Sequence, residues 1–136
     1  MTDQVPRVLP TTEELSGFFW TSGADGRLRF LRCSACCYFI HPPAPVCPRC
    51  FGRNVAPYEV TGRGRVYSFT VNHQPWDGAG DVYVIAVVAI DEQPGLRLTT
   101  NLVDVAPAEA RIDMVVKVVF EARGAIFIPL FRPVCA

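Results

Sequence analysis

The chain has 136 residues, half of them apolar and 19% charged, which is material for one ordinary domain or two very small ones and excludes general disorder. The formal net charge is zero, which argues against a dedicated nucleic-acid binder. The longest apolar run, Val82 to Ile90, has nine residues against the roughly 20 that a bilayer-spanning helix needs, and no basic region followed by an apolar one opens the chain, so neither a membrane span nor a signal peptide is expected.

The neutral balance conceals blocks. Residues 1–26 sum to −3, residues 27–65 to +6 and residues 66–136 to −3. The positive block could meet phosphates or an acidic partner surface, or be a solvated face with counter-ions.

Residues 1–10 contain Pro6 and Pro10 and read as an extended arm. Thr11 and Glu14 fit a capping box, and Leu15, Phe18 and Phe19 share a helical face, so a helix is expected from Thr12 to Thr21, ending near Gly23. So short a helix must pack on something. With Phe18, Phe19 and Trp20 together, that is either the chain's own core or a partner.

Gly26 to Arg32 alternates as a strand leading into Cys33-Ser34-Ala35-Cys36. Ten residues later comes Cys47-Pro48-Arg49-Cys50. A two-residue gap lets a tight turn aim both sulfurs at one point, and two such turns supply four sulfurs to a tetrahedral ion. Structural zinc on Cys33, Cys36, Cys47 and Cys50 is expected. A disulfide framework does not suit a chain with no secretion signal, and iron fits the same sulfur geometry. With four protein ligands the site has no open position for catalysis. Cys37 follows the first pair, where glycine is common because the turn needs positive φ. Cys135 belongs to the tail. His41 precedes Pro42 on the ribbon and reads as structural.

Phe51 to Ala56 leaves the second pair. Strands are then expected at Tyr58 to His73, broken at Gly62-Arg63-Gly64, and at Val82 to Asp91, Leu96 to Val103, Met114 to Ala122 and Ala125 to Phe131, with a helical turn at Pro107 to Ile112. The long loop after His73 carries Trp76, either a lid on the barrel end or a binding residue. Five strands, a long first strand with glycines and a turn before the fourth strand fit the five-stranded Greek-key barrel called the OB-fold; an open sandwich fits nearly as well.

Gly26-Arg27-Leu28, the two cysteine pairs, Gly62-Arg63-Gly64-Arg65-Val66-Tyr67-Ser68-Phe69-Thr70-Val71, Leu98-Thr99-Thr100-Asn101-Leu102-Val103 and Pro129-Leu130-Phe131-Arg132-Pro133 together carry a resemblance. From Thr12 to Pro133 the chain resembles the zinc-ribbon/OB-fold proteins associated with acyl-CoA metabolism, once known only as a domain of unknown function. The resemblance implies a mainly β protein: an N-terminal arm and helix (1–25), a rubredoxin-like zinc ribbon (26–56) and an OB-fold (57–136). It also implies a partner. Family members accompany thiolase-fold enzymes, including lipid-transfer-like aldolases that shorten steroid side chains, and help guide the CoA ester.

On that basis the chain is expected to be a non-catalytic cytoplasmic accessory subunit, in a two-plus-two assembly with a thiolase-fold enzyme. Arg63 and Arg65 are expected to contact CoA phosphates. Phe18, Phe19, Trp20, Trp76, Phe127, Phe131 and Arg132 are expected at the partner interface. An independent acyl-CoA-binding protein and a single-stranded nucleic-acid binder are the alternatives. The second needs stacking aromatics in a basic groove.

Overall fold

The computed structural model describes residues 8–12, 15–74 and 82–134. A helix α1 (Gly17–Thr21) runs into a 3-10 turn (Ser22–Asp25). Strands β1 (Arg29–Cys33), β2 (Phe39–Ile40) and β3 (Val55–Glu59) form a three-stranded antiparallel sheet in the order β2-β1-β3. Strands β4 (Arg63–Asn72), β5 (Tyr83–Ile90), β6 (Arg97–Leu102), β7 (Val115–Arg123) and β8 (Ile126–Pro133) close a barrel in the order β4-β5-β6-β8-β7. The one parallel pairing, β6 with β8, closes it. The closed barrel decides between the two expected β architectures.

The helix is shorter than the expected Thr12–Thr21. A side chain at Gly17 would run into the carbonyl of Thr12, so Thr12 packs against the first residue of the helix and is not part of it. At the other end, the Thr21 hydroxyl donates to the Gly17 carbonyl at 3.1 Å, a back-bond that loosens a last turn. The Thr11–Glu14 capping box includes Glu14, which lies outside the described residues. Gly23 sits directly on the Phe120 ring, so the 3-10 turn is pressed onto β7.

The expected strand from Tyr58 to His73 is two strands. Tyr58 pairs with Phe30, and Glu59 with Arg29, in the ribbon sheet. Val60 is buried, its N–H bonded to the Leu28 carbonyl at 3.0 Å. Gly62 has φ +79° and turns the chain into the barrel, where β4 begins at Arg63. Gly64 is a close-approach position: any side chain would overlap the Ala89 carbonyl on β5. A bulge between Val66 and Ser68 adds the bend that lets β4 pair with β5 along its length and with β7 at its start.

Alternation sets the barrel interior. Val84, Ala86, Val88 and Ile90 point inward, with Leu98, Thr100 and Leu102 from β6 and Val116 and Val118 from β7. The inward set starts at Val84; Val82 is 44% exposed. The one buried polar side chain of the described residues, Thr100, donates to the Pro129 carbonyl at 2.9 Å, which meets the requirement that a buried hydroxyl be bonded. Phe30 and Phe39 from the ribbon join the barrel core, while Leu31, Cys33, Ile40 and Cys47 form a smaller core under the ribbon.

The β5–β6 turn clamps the two modules together. The Gln93 side-chain amide accepts from the Phe39 N–H at 2.8 Å and donates to the Phe39 carbonyl at 3.0 Å, as a neighbouring strand would. Glu92 accepts from the Thr61 N–H at 2.6 Å. No helix among the described residues is long and apolar enough to cross a membrane.

Candidate metal centre and surface sites

Both cysteine pairs sit on turns of the same construction. In the first, the Cys37 N–H bonds to the Cys33 carbonyl at 2.9 Å and the Cys33 N–H to the Tyr38 carbonyl at 2.9 Å. In the second, Phe51 bonds back to Cys47 at 2.9 Å, and Cys47 to the Gly52 carbonyl at 2.9 Å. The residue after each pair takes the left-handed conformation, Cys37 at φ 64° and Phe51 at φ 63°. The first turn thus forms with cysteine in the position that glycine commonly fills.

The turns bring four sulfurs together. The Sγ atoms of Cys33, Cys36, Cys47 and Cys50 all lie within 4.8 Å of one another. Cys33 to Cys50 is 3.5 Å and Cys36 to Cys47 is 3.6 Å. Zinc–sulfur bonds of about 2.3 Å in a tetrahedron place sulfurs about 3.8 Å apart, so the spacing fits. Cys33 and Cys47 are fully buried. Cys37 is exposed and outside the cluster; Cys135 lies outside the described residues.

The electrostatics fit a cation as well. The Cys36 N–H, with further help from Ala35, lowers the Cys33 pKa to about 7. At Cys47 burial opposes the charged form, but the N–H groups of Cys50 and Arg49 and the neighbouring sulfurs outweigh it and lower the pKa. At Cys36 the Tyr38 N–H favours the thiolate, yet burial and the other three sulfurs push the pKa up to about 12. Thiolates this close repel, and all four ionise together only around a cation. Zinc would be held by these four residues, and the chemistry it supplies there is structural.

The expected surface residues divide. Phe19 is 3% exposed and Phe131 is 0% exposed, so both are core residues and neither is available to a partner. Phe19 meets Trp20 edge-on at 5.0 Å and Phe30 at 5.9 Å. Phe18 and Trp20 are half-buried against the same core. The aromatic load of the short helix is thus mostly internal. Phe127 is half-buried and Arg132 exposed; Trp76 lies outside the described residues. His41 is packed between Phe19 and Phe30, each 5.0 Å away, and burial lowers its pKa to about 4.

Arg63 and Arg65 are exposed on the outer face of β4. The sequence reading missed what stands beside them. Lys117 on β7 is directly opposite Arg63, and Arg132 on β8 directly opposite Lys117. Arg97 lies two strands from Arg65, through Ala89, with its guanidinium 3.8 Å from the Tyr67 ring centre. Gln93 was also missed; a lone glutamine in a turn carries no signal. Phe51 had one: it occupies the left-handed position after a cysteine pair.

Two family profiles match the chain: the ChsH2 rubredoxin-like zinc ribbon domain over residues 20–56 and the ChsH2 C-terminal OB-fold domain over residues 57–121. The chain is 39% identical to a probable enoyl-CoA hydratase alpha subunit of Thermomonospora curvata, over 97% of this chain and 42% of that protein. It is 35% identical to a DUF35 domain-containing scaffold protein of Methanocaldococcus jannaschii, over 66% of this chain and 64% of that one. The chain therefore spans about two fifths of the first relative and just under two thirds of the second. A scaffold protein of the same description from Pyrococcus furiosus is 30% identical, over 71% of this chain and 76% of that one. Among solved structures, a chain of the Ltp2-ChsH2(DUF35) aldolase superposes with a TM-score of 0.82 at 38% identity, over 92% of this chain and 98% of that chain.

Proposed function

The chain belongs to the ChsH2/DUF35 family of zinc-ribbon and OB-fold proteins, and from that membership we propose that it is a non-catalytic accessory subunit of a thiolase-fold enzyme acting on acyl-CoA. The observation that carries this reading is the match, over 98% of its length, to the chain found with Ltp2 in an aldolase. The likeness to a hydratase subunit and to scaffold proteins supports the same class of role. The chain would help assemble the enzyme and position its acyl-CoA, in the degradation of steroid side chains or fatty acyl groups. Zinc in the four-cysteine site would hold the ribbon rigid. That site is coordinatively closed, and His41 is enclosed by aromatic rings, so neither offers a reacting group to a substrate.

The test is co-expression with the thiolase-fold enzymes of the chain's genetic neighbourhood. Co-purification with one of them is expected, at a mass matching two copies of each, with acyl-CoA turnover that depends on the chain. A monodisperse monomer that leaves every candidate's assembly and activity unaltered would overturn the reading.

A further inference from the structure

Barrel closure creates a feature that no linear stretch of the chain contains. Arg63, Lys117 and Arg132 stand directly opposite one another on three adjacent strands, β4, β7 and β8. All three are exposed on the outer face, because Gly64, Val116 and Phe131 occupy the inner one. Adjacent strands are about 4.8 Å apart, so the three backbone positions that carry these cations lie within roughly 10 Å. Like charges directly opposite each other destabilise a sheet. Arg65 and Arg97 extend the patch along the next row, through Ala89.

None of these five cations forms an ion pair with a described residue. Asp91 and Asp113 border the patch through their backbones only: the Asp91 N–H bonds to the Arg63 carbonyl, and the Asp113 carbonyl accepts from Arg65. No described carboxylate pairs with the row, and an external anion would relieve its repulsion.

We infer that this face is the docking surface for an acidic patch on the partner protein, which rests on the accessory-subunit reading above and places its contact. The face is the outside of a barrel, and the cavities found among the described residues lie elsewhere, beside Tyr38 and His41, beside Arg49 and beside Arg123. That favours a macromolecular surface over the phosphates of a free CoA ester, which the sequence reading gave to Arg63 and Arg65. Tyr67, 52% exposed, with Arg97 stacked on it, adds the residue types that dominate protein interfaces. A single-stranded nucleic acid would need successive stacking rings; among the described residues this face offers one exposed ring, Tyr67, since the exposed Tyr58 belongs to the ribbon sheet and already carries Arg32. Opposite charge on the partner steers encounter and fixes the register of docking.

The experiment uses the full chain and the purified thiolase-fold enzyme that the wild type binds. Lys117→Glu, at the centre of the row, is expected to raise the melting temperature of the isolated chain, because it converts two repulsions into attractions. The same variant is expected to weaken the complex about 100-fold, mostly through a slower association rate, and to flatten its salt dependence. Lys117→Arg should preserve both properties. A residue with only a structural role would move stability and binding together. Equal binding by wild type and Lys117→Glu overturns this inference and leaves the accessory-subunit reading standing; a wild type that binds no candidate overturns both. Three other results would also overturn it: salt-sensitive self-association lost in the variant, tight binding of a single-stranded oligonucleotide, and a variant that forms the complex normally but loses only CoA affinity.

Discussion

At the residue scale, the cysteines and His41 make predictions that separate. Cys36→Ser leaves three sulfurs around the site. The expected outcome is loss of stoichiometric zinc by elemental analysis, with hydrogen exchange accelerating at Leu31, Cys33 and Ile40 while the barrel interior keeps its protection, since assembly of the site contributes to folding of the ribbon. His41 acts through pH. Burial lowers its pKa from 6.5 to about 4, so between those values the unfolded chain binds a proton that the folded one refuses. Stability is therefore full above pH 6.5 and falls as the pH drops toward 4, by up to about 3 kcal/mol from this group. His41→Phe, which keeps a ring between Phe19 and Phe30, should flatten that part of the pH–stability profile. Because thiolate protonation also releases zinc in acid, the quantity to compare is the difference between the two proteins' melting curves across the window.

At the scale of elements, two contacts decide how strands meet. Gln93 bonds to both backbone groups of Phe39, so Gln93→Ala strips a buried strand of partners and should cost about 1–3 kcal/mol. Amide exchange at Phe39 should report it directly. Gln93→Glu keeps the acceptor for the Phe39 N–H but sets a carboxylate against the carbonyl, so it should restore only part of the loss. Gly64 lies against the Ala89 carbonyl, which is backbone and cannot swing away. Gly64→Ala should destabilise by about 1–3 kcal/mol through strain in the β4–β5 pairing. Gly95→Ala is the control: nothing lies within 4 Å of a side chain there, leaving only the cost of positive φ, about 1 kcal/mol. Chemical denaturation of the two variants would rank them.

At the scale of the whole molecule, the ribbon and barrel share one core. Phe30 and Phe39 pack with Val66, Val88 and Phe131, so the ribbon is seated on the barrel and not tethered to it. Of the aromatics that a linear reading assigns to a partner, Phe19 packs on Phe30 and His41 of the ribbon, and Phe131 lies in the same buried core. What the molecule presents outward is charge. The total is zero, yet Arg63, Arg65, Arg97, Lys117 and Arg132 are all exposed on the outside of the barrel, so association with an acidic partner should slow as ionic strength rises.

Much of this was legible in the chain. Two cysteine pairs ten residues apart specify a four-sulfur site, because each two-residue turn closes locally and needs little from the rest of the fold. The run Val82 to Ile90 specified a strand whose side chains alternate between two faces, but it is apolar throughout, so only the barrel decided that Val84, Ala86, Val88 and Ile90 are the inward set. Other features were decided only in three dimensions. Tyr58 and Glu59 continue the apparent pattern of β4, but their pairing with β1 places them in the ribbon. Whether Phe19 faced a core or a partner depended on where Phe30 and His41 came to lie. Arg63, Lys117 and Arg132 are far apart along the chain and adjacent only across the closed barrel. Local periodicity records which way a side chain points; the register between strands, set by bulges, close-approach glycines and barrel closure, decides what it points beside.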